Sequence, residues 1–470
     1  MNTRILSLAA LACILVLPAA AWAAYIPVYG GPTYDAATDT GIQGGTAVAV
    51  NDAGVAVGNA RLHVAGVDMG DRAFRWDASG AAAVELGNLG TNPGGATNTR
   101  VAAINNAGAA VGYAGTYNAA DGLFYPQPVR WDASGVAATR LGDPGSAVLV
   151  SGQAGAINSA GTIAGYGNKV VNSFTESLAV RWNATGNATE LALSGVGVLP
   201  LAINESGVVL GSAFYVDPHT HYGHRAVRWD ASGTETVLGF VGYASASGYA
   251  KAIPTALNNA GTAVGYGSKY TEGYPPDRAI RWDADHAEAT ELGILASASG
   301  GSDDMTNAQA LDINDAGTAV GWVQDRHLGG PLLAVRWDAG GTAATQLSRL
   351  NEAGHSLAAA INDFGFTVGW AEKYVGGTNQ GHRAVCWRPD GSIIDLNSLI
   401  DTATGWTELI EAQAISNGGW ITGYGRFDPD GTGPLAAYDR TFLMQIPEPA
   451  TLSLLALGGL VAALRRRRGA

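Results

Sequence analysis

Short runs of alternating apolar and polar residues, each broken by a small polar turn, recur through nearly the whole chain. "AVAVNDAGVAVG" begins at Ala47, "AAINNAGAAVG" at Ala102 and "LDINDAGTAVG" at Leu311. Eight such segments align on Asn51, Asn105, Asn158, Asn204, Asn258, Asn314, Asn362 and Ser416, at steps of 46 to 56 residues. Self-similarity at a period of about 50 residues marks a solenoid, propeller or array. Alternation fits half-buried strands. Asn-x-x-Gly between two runs supplies a turn, with Asn bonding the backbone through its side chain and Gly taking the left-handed position.

Each copy reads as four strands. In the first copy one strand ends at Asn51, the next begins at Gly54, and "RAFRW", Arg72 to Trp76, is the third. After the turn Asp77-Ala78-Ser79-Gly80, "AAVELGNLG" is the fourth. The third-strand phrase returns as "RAVRW" from Arg225 and "RAIRW" from Arg278. Its alternation puts Val227 and Trp229 on one face, Ala226 and Arg228 on the other. With no helical period to cover either face, the expected architecture is all-β: a single propeller of eight four-stranded blades over residues 24–445. The tryptophans would wedge between blades. Arg75, Arg130, Arg181, Arg228, Arg281 and Arg336 are expected to grip turn carboxylates such as Asp77 and Asp230 with their planar forks. Copy eight, where "RTFLM" replaces the phrase, runs out at Gln445 before a fourth strand. The segment Tyr25 to Gly30 is therefore expected to close the ring beside Arg440 to Gln445, removing two open edges.

Both ends read as addresses. Arg4, an apolar run from Ile5 to Leu17 and Ala21-Trp22-Ala23 make residues 1–23 a secretory signal peptide cleaved before Ala24. Cys386 is then the one remaining cysteine, so no internal disulfide can form. At the other end Pro447-Glu448-Pro449 precedes an apolar stretch, 450–464, expected to be a transmembrane segment, and then Arg465, Arg466, Arg467 and Arg468. The arginines orient that segment with its end in the cytoplasm. Residues 446–470 resemble the PEP-CTERM sorting signal of Gram-negative bacteria. That resemblance implies an exosortase-type membrane enzyme as partner, transient anchoring in the inner membrane, and delivery to the outer surface or the exopolysaccharide matrix. Between the two ends, the order "AINxxGxxVG … RAxRW … LGxLG" resembles the HAF family of extracellular repeats, which implies an exported repeat protein and offers no catalytic residue.

Charge narrows the partners. Acidic residues outnumber basic ones 40 to 27, for a net charge of −13, which argues against nucleic acid. Removing Arg4 and the four tail arginines takes the charge to about −18, a body that repels polyanions and favours a neutral polysaccharide or a surface protein as ligand. No nucleophile elbow, zinc-helix or phosphate-loop motif occurs, and no cofactor signature. Asp217, His219 and His221 in "DPHTHYGH" are the metal-ligand candidates by residue type. Aromatic residues follow the second-strand "VG" in six copies: Tyr113, Tyr166, Tyr266, Trp322, Trp370 and Tyr424. Tyr266, Trp322 and Trp370, on consecutive blades, are the ligand-binding candidates, since aromatic faces stack on sugar rings. The expected function is a non-enzymatic surface or matrix propeller that binds through the variable links between second and third strands. The alternative is a glycan hydrolase or lyase, which would need repeat-breaking acids gathered at one rim, with Asp303 and Asp304 the first to inspect.

Overall fold

In a computed structural model the described residues are 28–446, apart from residues 32, 36–39, 146, 217–221, 243–244, 246–247, 270–275, 296–305, 326–329, 353, 432 and 434. The signal peptide, the sorting tail, Asp217, His219, His221, Asp303 and Asp304 all lie outside them. Eight antiparallel sheets, one per copy, stand around a central channel. The first repeat strand of each lines the channel: Thr40–Val50, Thr99–Ile104, Ser151–Ile157, Val196–Ile203, Ala252–Leu257, Thr306–Ile313, Ser356–Ile361 and Trp406–Ile415. Blade one adds a fifth, two-residue strand, Tyr34–Asp35, paired with the start of Thr40–Val50. Each channel-lining strand touches its counterparts on both sides, the last touching the first, so the ring is closed. The eighth sheet takes its outer strand from the N-terminal segment. Val28–Gly30 pairs antiparallel with Tyr438–Gln445, with Val28 opposite Met444 and Gly30 opposite Phe442. Expected and observed closure agree.

The Asn-x-x-Gly turns form as their chemistry requires. Asn51 N donates to Val55 O and Gly54 N to Asn51 O, both at 3.0 Å, with Gly54 at φ +75°. Just beyond each turn the inner strand bulges, as between Ala310 and Asp312. That bulge explains the glycine of the recurring "VG": a Cβ on Gly321 would land on the Gln309 carbonyl. The outer strands are shorter than "AAVELGNLG" suggests. Only Val84–Glu85 pairs in the first blade, because Leu86 turns into the core and Gly87 N bonds the Val136 carbonyl of the next blade.

Three recurrent polar links join neighbouring blades. The turn asparagine caps its own hairpin through Oδ1 and donates through Nδ2 to the next blade's turn carbonyl, at 3.0–3.2 Å, in seven steps from Asn51 to Ser416. The "RAxRW" tryptophan is buried and reaches back: Trp131 Nε1 donates to Gly87 O, Trp182 to Gly142 O and Trp282 to Gly239 O at 2.8–2.9 Å. The arginine reaches forward. Arg75 donates to the carbonyls of Asp132, Ala133 and Gly108, and Arg228 to those of Gly261, Asp283 and His286. The expected carboxylate grip forms at three of the arginines, Arg130 with Asp132, Arg281 with Asp283 and Arg336 with Asp338 at 2.8–2.9 Å, but not at the two carboxylates expected by name. Asp77 and Asp230 are occupied by their own turns, accepting from Ser79 N and Thr234 N, which leaves turn carbonyls as the acceptors facing the previous blade.

The last two interfaces depart from this pattern. Between blades seven and eight, Cys386 replaces the arginine and Met444 the tryptophan. A continuous apolar cluster including Cys386, Leu396, Leu399, Trp406, Phe442 and Met444 fills that interface. Burial pushes the Cys386 thiol up to about 12, which makes it a packing residue. Between blades eight and one all three links fail. Ser416 caps only its own turn, Leu443 replaces the arginine, and buried Trp76 Nε1 finds no acceptor among the described residues. A Gly418 N–H bond to Asp52 and a small cluster around Phe74, Trp76 and Leu443 hold that seam.

Candidate functional site

The ring has two ends. One, the turn face, carries the Asn-x-x-Gly turns. The other, the hairpin face, carries the links between second and third strands. At the turn face the channel narrows to a polar cavity of about 280 Å³ whose lining includes Asp52, Asn106, Asn259, Asp315, Asp363 and Asn417. These side chains clip blade to blade. Asn106 Nδ2 donates to Asp52 at 2.6 Å, Asn259 Nδ2 to Asp315 at 2.8 Å and Asn417 Nδ2 to Asp363 at 2.6 Å. Among the described residues no group of three or more His, Cys, Asp or Glu side chains is placed to hold a metal ion.

One acid in the channel wall breaks the repeat. Asp312 stands two residues before its turn asparagine, where the other seven copies have alanine. Antiparallel pairing points every second backbone N–H of an inner strand into the channel. Asp312 answers two of them, accepting from Ile313 N at 2.9 Å and from Ile361 N of the next blade at 2.8 Å. Burial, the largest cause, pushes its carboxyl up to about 6, and nearby Asp363 adds to the rise. A folded-state pKa above the unfolded one, about 3.9, stabilises the fold at low pH and loses that contribution as pH rises through 6. Urea unfolding at pH 4.5 and pH 7.5 should therefore show wild type losing about 1–3 kcal/mol relative to Asp312→Ala. A difference between the two proteins that is the same at both pH values would show that Asp312 does not titrate there. The aligned copies contained this signal.

At the hairpin face the aromatic candidates sit in second strands and are half-buried. Lys251 Nζ caps the Tyr266 ring at 5.0 Å. Trp370 stacks on His382 with centroids 3.8 Å apart and planes 6° apart, so one of its faces is taken. Trp322 has no ring partner among the described residues. The structure thus spreads the three over separate blades, with different rings free.

A feature that periodicity did not reveal lies on blade three. An open groove of about 820 Å³ runs between Pro144, Val148 and Val150 on one side and Lys169, Val170 and Glu190 on the other. Val148 is 69% exposed, and Phe174, opposite Val171 across the hairpin, is 76% exposed. The hairpin Ile163–Val171 with Phe174–Trp182 overshoots the outer strand Ala188–Glu190, which pairs only from Val180 to Trp182. Blades one and two overshoot in the same way, and on blade three the apolar link from Pro144 to Val150 gives the overshoot a second wall. Its sequence signals were the apolar "VLV" at Val148 and "VVNSF" at Val170.

Comparisons with known proteins identify the tail and part of the ring. Residues 215–445 match a family model described as a protein of unknown function, DUF3466. Residues 445–468 match the PEP-CTERM protein-sorting motif. No curated protein matches the chain. Among solved structures it is similar to the Dos1 propeller, at 10% identity over 89% of this chain and 95% of that one, with a TM-score of 0.45. It is also similar to the β-propeller domain of the trilobed protease from Pyrococcus furiosus, at 10% identity over 75% and 96%, with a TM-score of 0.42. A polysaccharide lyase of family PL25, an ulvan lyase, aligns at 10% identity over 79% and 99%, with a TM-score of 0.36. Among the described residues no helix is long and apolar enough to cross a membrane; the expected segment 450–464 lies outside them. The chain is thus an eight-bladed β-propeller whose residues 215–445 match the DUF3466 model and which carries, directly behind its last strand, the PEP-CTERM motif of exported proteins sorted through the membrane.

Proposed function

We propose that this exported propeller is a non-enzymatic binding protein of the cell surface or exopolysaccharide matrix, and that it holds a neutral polysaccharide on its hairpin face. The observation that carries this reading is the open groove on blade three, with apolar walls, one lysine and one glutamate at its rim, and Phe174 exposed beside it. Its volume lies within the usual range for small-ligand sites, and its mix of apolar wall and few polar groups suits sugar faces and hydroxyls. An acidic body disfavours uronic-acid polymers by like-charge repulsion. Trp322 and the free face of Trp370 offer further stacking surfaces.

Each ring that stacks on a sugar is worth about 0.5–1.5 kcal/mol, so Phe174→Ser, Trp322→Ala and Trp370→Ala should each weaken binding roughly 2- to 12-fold. Affinity electrophoresis in gels containing neutral or acidic polysaccharides reads this directly. Equal retardation of all variants, or loss of their thermal transition, would mean that these rings are packing residues and not ligand contacts.

A further inference from the structure

Both ends of the ring leave from the turn face. Gln445 pairs with Trp420, its side chain donates to Gly418 O at 2.9 Å, and Ile446 N donates to Gly419 O at 2.9 Å. Val28, paired with Met444, starts at the same end. Ile446 is buried, so the fold holds the chain up to the residue before Pro447. Only Pro447, Glu448 and Pro449 then separate the propeller from the apolar run 450–464. Fully extended, three residues reach about 11 Å. Strands such as Thr367–Val375 carry the hairpin tips roughly 30 Å further away.

The turn face also holds an exposed aromatic beside that exit. The third turn position is Ala53, Ala107, Ala160, Ser206, Ala260, Ala316 and Gly418 in seven copies, but Phe364 in blade seven, next to the blade that ends at Ile446. Phe364 is 48% exposed. Aromatic side chains favour the headgroup level of a bilayer. The exposed carboxylates around it, such as Asp338 and Asp390, oppose deeper insertion.

We propose that, while the tail anchors the protein, the turn face of blades seven and eight rests on the lipid headgroup surface through Phe364, and the hairpin face with its groove projects outward. The proposal rests on the sorting-tail reading and is independent of the glycan ligand.

Full chain lacking only residues 1–23 is reconstituted into phosphatidylcholine vesicles containing nitroxide-headgroup lipid, with a fluorophore on one introduced cysteine. Cys386 is buried and does not compete for label. Probes at Asp390→Cys and Ser79→Cys, on the turn face, should lose most of their emission. Probes at Val375→Cys and Val67→Cys, on hairpin tips of the same two blades, should keep theirs. Phe364→Ala should reduce quenching at Ser79→Cys while leaving the thermal midpoint unchanged. Vesicle-bound protein whose hairpin probes quench as strongly as its turn probes overturns the orientation. Protein that fails to float with the vesicles overturns the tail reading, and the proposal with it.

Discussion

Deleting the chain through Gly30 should open the ring between blades eight and one and lower stability by about 2–4 kcal/mol. The estimate comes from side-chain burial. Val28 packs on the apolar cluster of blades seven and eight, and Tyr29 lies 6.5 Å from the Trp420 ring in the cluster of blades eight and one. Full burial of such a side chain is worth about 1.5–3 kcal/mol, and both are half-buried, so each contributes a part of that. The Arg440 guanidinium, which donates to Gly31 O at 2.9 and 3.1 Å, would lose its anchor as well. The Tyr29 share of the loss falls on the one interface that lacks the asparagine, tryptophan and arginine links together. A newly open edge at Tyr438–Gln445 should also promote association. Urea unfolding and amide exchange at Phe442, Leu443 and Met444 test this. Unchanged midpoint and unchanged protection would show that the ring does not depend on its closing strand.

Trp282→Ala should cost about 3–5 kcal/mol, the usual range for emptying a large buried aromatic site. Trp282 is fully buried, and its indole answers the Gly239 carbonyl at 2.9 Å. The sharper comparison uses phenylalanine. Trp282→Phe keeps most of the packing but leaves that carbonyl unanswered, at about 1–3 kcal/mol for the lost partner. Trp76→Phe removes an indole N–H that already lacks a partner, so it should cost less than Trp282→Phe by about that amount. Thermal and urea unfolding of the two variants read the difference. Equal losses would mean that the indole bonds add nothing beyond packing.

Much of this architecture was legible in the residues because it is local or repeated. Asn51 and Gly54 specify their hairpin within four positions, and alternation in "RAVRW" assigns Trp229 to one neighbour and Ala226 to the other. Closure by Val28–Gly30 followed from counting strands in copy eight. Partner choice was harder to read. Arg75 passes over the carboxylate expected to hold it because Asp77 already serves Ser79 N, and only the packed ring shows which carbonyls then face the guanidinium. The groove on blade three escaped for a related reason: it arises where a hairpin outruns its outer strand, and strand length is set by neighbours rather than by pattern. Asp312 and Phe364 were visible as departures from alanine, but their surroundings became readable only once the turn face was built.

The pairing of Val28 with Met444 also sets an order of events in folding. Each blade from one to seven is built from contiguous chain, so its hairpins can form as soon as that stretch has crossed the membrane. Closure joins residues roughly four hundred positions apart and must wait for the final blade. Ring closure is then a single late step with a high entropic barrier, in which the first strand exported waits for the last. Until it occurs, blade one and blade eight each present an open flank, and the exported chain is most vulnerable to proteolysis and to pairing with another copy during that interval.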